Sequence, residues 1–203
     1  MRRVYLFGDI CNERAEKFIA QLHDLFEEGG EPVTIFINSS GGSVTDALAI
    51  YDVIQHAPCE IFTIGLGKVH SAAVTVMLAA PRENRACYPN TEFMSHDISW
   101  KSDGPRAFLK GRVDQLERTV AQLLAVYTRD TNLTAEEARE RFFTDLDDHY
   151  FTAQEALDMG FISRIITRES SQPGIASRAD LRLVEPISVS DDERIVAVNS
   201  SQE

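Results

Sequence analysis

The run VTIFIN, residues 33 to 38, is apolar at nearly every position, with no alternation of wet and dry faces. A strand of that kind must be covered on both sides, and a parallel sheet with crossover helices on each face is the arrangement that does so. The flanking sequence supplies the helices. RVYLF, residues 3 to 7, reads as a strand, and NERAEKFIAQLHDLFEEGG after it carries Ala15, Phe18, Leu22, Leu25 and Phe26 at helical spacing before Gly29 and Gly30 stop it. VTIFIN is followed by Ala47, Ile50, Tyr51 and Ile54, again one stripe of a helix. EIFTIGL then leads into SAAVTVMLAA, which is apolar all round and so reads as a buried helix. Strands and helices alternating in this way predict an α/β fold with a parallel sheet.

Two short strand candidates, RACYP and TEFMS, precede HDISWKSDGPR, a polar segment with Gly and Pro that reads as a loop. On the long helix that follows, Leu109, Val113, Leu116, Val120, Leu123 and Tyr127 are spaced alternately four and three apart. So narrow a seam on a charged rod must be buried, either on a partner subunit or on the chain's own domain. Thr134 with Glu137 and Thr152 with Glu155 form capping boxes that start two further helices, and Gly160 ends the second. Beyond residue 167 the chain turns Ser-rich and acidic, so we expect residues 1–167 to form one domain and residues 168–203 a mobile tail.

Composition excludes several classes of function. A net charge of −12 leaves no basic stripe to displace counterions from a polyanion, so nucleic acid is not expected as a partner. The three cysteines, Cys11, Cys59 and Cys87, show no CxxC spacing, which argues against both a disulfide framework and a zinc site. The N-terminal apolar stretch is too short for a secretory signal, and no segment has membrane-spanning length. The expectation is a soluble cytoplasmic protein without metal or cofactor.

Acyl transfer through a serine hydroxyl needs a base within hydrogen-bond reach, a group to hold that base, and donors for the developing oxyanion. Ser71 opens the apolar segment 71–80, where helix N-terminal amides are unpaired, and the N–H of Ala72 is a natural oxyanion donor. A second donor needs backbone that a substrate can approach closely, and Gly41 and Gly42 in NSSGGS provide it. Both pieces fall at carboxyl ends of neighbouring parallel strands, where sites in open α/β sheets are built. His96 follows the strand candidate TEFMS, and Asp148 in DLDDHYFTAQEA is the candidate orienting carboxylate. Each residue also has an ordinary reading: a serine at a helix start is usually a cap, a Gly-Gly a tight turn, and a lone histidine a surface group.

Four collinear stretches carry a resemblance. INSSGGSVTDALAIYDVIQ, GKVHSAAV, YPNTEFMSHD and FTAQEALDMGFIS resemble the motifs of the proteolytic subunit of Clp protease, and the likeness runs from about residue 3 to residue 166. From Gly42 through Ser71 to His96 it needs no gap. The resemblance implies a crotonase-like α/β fold of repeated β-α units with a protruding handle helix. It implies Ser71 as nucleophile, His96 as general base, Asp148 as orienter, and the N–H groups of Gly42 and Ala72 as oxyanion hole. It further implies a serine endopeptidase acting on peptides or unfolded proteins inside a homo-oligomeric chamber, a heptameric ring or a pair of them. Two other readings stand beside it: a non-catalytic ring subunit, and an acyl-coenzyme A enzyme of the same fold, which would need the two amides but no serine.

The chain also departs from the family. His70 replaces the usual alanine before the nucleophile and is a rival base, although adjacent residues at a helix start point about a third of a turn apart. Lys68 offers a Ser-Lys alternative but reads as a solvated side chain. Asp145 and Asp147 stand close enough to Asp148 to compete for the orienting role, because the interval from His96 is a few residues longer than in the family. Ser40 replaces the motif proline, and the family's glycine-rich stretch after the histidine is missing. The axial segment that engages an ATPase unfoldase has no counterpart before Arg2, which counts against such a partner. No GxxxxGK[ST] loop is present, so any ATP dependence has to come from another protein.

Overall fold

The apolar runs become strands of one sheet, and the striped segments between them become its crossover helices. The computed structural model describes residues 2–99, 103–144 and 147–167; the expected tail, 168–203, lies outside them. The first three pairs are β1 (Arg2–Phe7) with α1 (Asn12–Glu28), β2 (Val33–Ser39) with α2 (Val44–Gln55), and β3 (Ile61–His70) with α3 (Ala72–Met77). β4 (Arg85–Cys87) and β7 (Arg164–Ile165) extend the parallel ladder in the order β1-β2-β3-β4-β7. Val33, Ile35 and Ile37, which share one face of β2, are fully buried, whereas on the other face Thr34 is buried but Phe36 and Asn38 are only half-buried, so the second face is less completely covered than the apolar run predicts. Every residue of α3 is buried, so this short helix sits in the core.

β3 is the strand that positions the site, because besides its ladder with β2 it belongs to two more. Its first half, Thr63–Gly65, pairs with β4, and its end, Lys68–His70, pairs with β5 (Glu92–Ser95). β5 in turn pairs antiparallel with β6 (His149–Phe151). Between the pairs Ile37–Gly65 and Ser39–Val69, β3 advances four residues while β2 advances two, which is a bulge. Gly67 takes φ 66° inside that bulge, and the Asn38 side chain accepts from the Lys68 N–H there at 3.4 Å. The bulge swings the end of β3 toward β5.

α4 (Arg106–Asp130) is the long helix, and its seam is divided between two surroundings. Val120, Leu123 and Tyr127 are buried on the chain's own core, whereas Val113 is 49% exposed. Of the two alternatives read from the seam, packing on the chain's own domain holds for the C-terminal half, and the N-terminal half is left exposed at Val113. Both capping boxes form, at α5 (Ala135–Phe142) and α6 (Ala153–Asp158), and Gly160 at φ 79° follows α6.

The C-terminal end of α4 is tied to the sheet by a buried charge. Arg85, 2% exposed, donates to the Ala80 carbonyl at 2.7 Å and faces Asp130 at 3.7 Å. Asp130 also accepts from the Tyr51 hydroxyl at 2.8 Å. Burial pulls the Arg85 guanidinium down to about 10, and Asp130 opposes that shift. Removing Asp130 leaves the arginine charge buried without its counter-ion. We therefore expect Asp130→Ala to lower unfolding stability by about 3 kcal/mol or more, against about 1 kcal/mol for loss of the Thr152 cap in Thr152→Ala. Urea denaturation of both variants checks the ranking, and equal losses would contradict it.

Candidate active site

At the end of β3 the chain must leave the strand and enter α3 within one residue, Ser71. It does so at φ 52°, ψ −125°, the one positive φ of a non-glycine among the described residues. That conformation costs on the order of 1–3 kcal/mol and persists only where surroundings enforce it. Here two neighbours do so. The Ser71 N–H donates to the Met94 carbonyl of β5 at 2.7 Å, and Gly41 packs directly against the turn. A methyl group at Gly41 would lie 2.5 Å from the His70 carbonyl oxygen and 2.8 Å from Ser71 Cβ. Glycine at 41 is required by that approach and by its own φ of 85°.

Ser71 and His96 meet. His96, half-buried on the loop after β5, has its Nε2 2.8 Å from Ser71 Oγ. That is the contact a base needs to take the hydroxyl proton, and it leaves Nδ1 for an orienting acceptor.

The two amides read from the sequence flank the same spot. Ala72 is the first residue of α3, so its N–H has no acceptor within the helix. Gly42, at φ 138°, sits in an isolated parallel bridge with Ile10. The bridge uses the Gly41 carbonyl and the Ser43 N–H, and so leaves the Gly42 N–H outside it. Gly42, Ser71, Ala72 and His96 line one cavity of about 390 Å³. Its opposite wall comes from α4 through Leu116, Thr119 and Leu123. Those wall residues were not assigned to the site from the sequence, although the seam that contains two of them was visible.

Asp148 is placed differently from Ser71 and His96. It directly precedes His149, whose pair with Ser95 is the last of the β5–β6 ladder, and is exposed. Among the described residues no hydrogen bond joins it to His96; it accepts from the Tyr150 hydroxyl at 3.4 Å. Of its two rivals, Asp147 is exposed and Asp145 lies outside the described residues.

His70 makes no hydrogen bond to Ser71 and turns to other partners. Its Nε2 lies 3.2 Å from Glu92 Oε1, close enough for an ion pair but not aligned as a hydrogen bond. Its ring stands edge-on to Tyr150 at 5.7 Å. The separation expected between residues 70 and 71 is present, but strand alternation and the turn at Ser71 cause it rather than a helical angle. Lys68 is exposed.

This geometry coincides with a match to known proteins. The profile of the family described as Clp protease matches residues 1–169. The chain belongs to the Clp protease family. It is similar to the ATP-dependent Clp protease proteolytic subunit 3 of Rhizobium etli, with 32% identity over 173 residues, 83% of this chain and 86% of the relative. It is 34% identical to proteolytic subunit 2 of Thermobifida fusca over 175 residues, 85% of this chain and 84% of that one. Among solved structures, a ClpP1 mutant from Listeria monocytogenes superposes with a TM-score of 0.74 at 31% identity, covering 83% of this chain and 93% of the other. The fold is that of ClpP, and membership in this family makes the chain a serine-type peptidase.

The tight approach at Gly41 is open to a direct test. Gly41→Ala is expected to lose more than about 1 kcal/mol of stability from its positive φ alone. It is also expected to displace Ser71, so that a crystal structure of the variant shows the Ser71–His96 bond broken. An intact bond would mean that the turn has room to spare.

Proposed function

We propose that Ser71, His96 and Asp148 act as a catalytic triad, with the N–H groups of Gly42 and Ala72 as oxyanion hole, in an enzyme that hydrolyses peptide bonds. The 2.8 Å contact between Ser71 Oγ and His96 Nε2 carries this reading. His96 takes the hydroxyl proton as Ser71 Oγ attacks the scissile carbonyl, and the two amides stabilise the tetrahedral oxyanion. His96 then gives the proton to the leaving amine, and water resolves the acyl-enzyme by the same route. Asp148 holds the His96 tautomer and stabilises its cation; both residues directly adjoin Ser95–His149, the last pair of the β5–β6 ladder, and that adjacency supports the role. An acyl-coenzyme A enzyme or a non-catalytic ring subunit has no use for a serine bonded to an imidazole, and the same contact weighs against both.

The assembly we infer is a homo-oligomeric ring, of seven subunits and stacked in pairs, around an inner chamber for peptides or unfolded chains. The half-exposed seam at Val113 supports a subunit contact along the projecting half of α4. The relatives are described as ATP-dependent. This chain carries no phosphate-binding loop of the GxxxxGK[ST] type, so an unfoldase would be a separate partner. The peptidase unit is residues 1–167, with 168–203 as an appendage. No helix among the described residues is long and apolar enough to cross a membrane, in keeping with a cytoplasmic site of action.

A fluorophosphonate probe on the assembled protein tests the triad. Labelling should disappear in Ser71→Ala, fall at least about a thousandfold in His96→Ala, and persist in Lys68→Ala. Absence of labelling in the wild-type particle would favour the non-catalytic subunit. Peptide hydrolysis by Asp148→Asn should drop in kcat by about 10⁴, whereas Asp147→Asn should retain most activity; the reverse order would move the orienting role to residue 147.

A further inference from the structure

Beside the nucleophile, β3, β5 and β6 carry a second set of polar side chains that the reaction scheme does not use. His70 pairs with Met94 and Met94 with Tyr150, so these three form one cross-strand row. Two residues before Met94 and Tyr150 stand Glu92 and Asp148, on the same face. The His70 side chain is 12% exposed, with Glu92 Oε1 3.2 Å from its Nε2 and the Tyr150 ring edge-on to it. Tyr150 donates to the Asp148 carboxylate at 3.4 Å, and that carboxylate also acts electrostatically on His70. Asp148 is thus bonded to the tyrosine that packs on His70, and it adjoins the same Ser95–His149 pair that His96 follows.

We propose that His70 and Tyr150 are positioning residues that form a second seat for the Asp148 carboxylate, in competition with His96. A proton on His70 then withdraws the carboxylate from the triad. The inference rests on the triad reading above. With His70 neutral, Asp148 is held in this seat only by one long hydrogen bond, and a side-chain rotation can return it to His96. With His70 charged, the cation faces two carboxylates, Glu92 from β5 and Asp148 from the segment entering β6. Lys68, on its own strand, opposes the charge, and Tyr150 adds a neutral donor. Burial holds the His70 proton affinity below the ordinary histidine range; Glu92 and Asp148 pull it back up, and Lys68 lowers it further. The seat is thus empty of positive charge at neutral pH and fills as pH falls.

Two imidazoles must then be unprotonated for turnover, His96 to accept the serine proton and His70 to release Asp148. The acid limb of kcat/KM for a fluorogenic peptide, measured on the assembled full chain, should approach a limiting slope of two in log units. His70→Gln should reduce that slope to one. Tyr150→Phe should raise kcat at pH 8 a few-fold with KM unchanged, because it frees the carboxylate. A wild-type slope of one, or a slope of two that survives in His70→Gln, overturns the proposal. Should His70→Gln fail to assemble, ring-carbon NMR of protein labelled with ¹³C-histidine decides instead. The His70 titration midpoint should fall in Asp148→Asn, and an unmoved midpoint overturns the proposal. That measurement needs no peptidase activity, whereas loss of Ser71 labelling in the wild type would sink the triad and leave the His70 result standing.

Discussion

The geometry of the site depends on a single residue held in a backbone conformation that side chains avoid. Ser71 at φ 52° converts a strand into a helix without a connecting loop, and so presents Oγ at the sheet edge rather than burying it in α3. Regular structure on either side would not allow this. A residue continuing β3 would point into a neighbouring layer, and one inside α3 would be buried like the rest of that helix. The conformation is enforced from two directions, by the Met94 carbonyl taking its N–H and by the glycine at 41 that lets β2's loop close against the turn. The glycines of NSSGGS thus serve the site twice, Gly41 as a packing surface and Gly42 as a presented amide.

Much of the architecture is legible in the sequence because it is written in long periodic runs. VTIFIN and the stripe of α2 leave little choice, and α3 is identified by being apolar on every side. β6 and β7 escape such reading, since three and two residues carry no period and their pairing is decided by tertiary contacts. The site divides in the same way. Ser71, Ala72, Gly42 and His96 stand next to elements the sequence defines well, and the fold brings them together. Asp148 comes from the segment just before a three-residue strand, so its side-chain direction is set by a local contact with the Tyr150 hydroxyl, which no periodic run announces. The wall contributed by α4 was hidden for another reason: one seam serves the core, the cavity and the exposed projection in turn.

Charge is handled in two contrasting ways within the domain. Arg85 is sealed in the core and matched by Asp130 and backbone carbonyls, so it fixes where α4 starts its departure from the body. Tyr127, one turn earlier, caps the cavity end of the helix by bonding Ser95 Oγ at 2.7 Å, and burial pushes its hydroxyl well above the ordinary tyrosine range. Around His70 the pairing is looser: the imidazole is mostly buried, but its carboxylate neighbours reach into solvent. A locked pair serves architecture, whereas a loose one leaves room for a group to exchange partners.

The fork in β3 divides the domain into parts of unequal tenacity. Strands β1, β2 and β3 share a long parallel ladder, whereas the ribbon of β5 and β6 is joined to β3 through three residue pairs and to itself through three more, backed by the Phe93–Phe151 stack. Local opening of that ribbon, at far less cost than global unfolding, would release both the carbonyl that pins Ser71 and the loop that carries His96. Contact between Ser71 and His96 thus depends on a ribbon held less extensively than β1–β3, and amide hydrogen exchange in the ribbon would report on it while the long parallel ladder stayed shut.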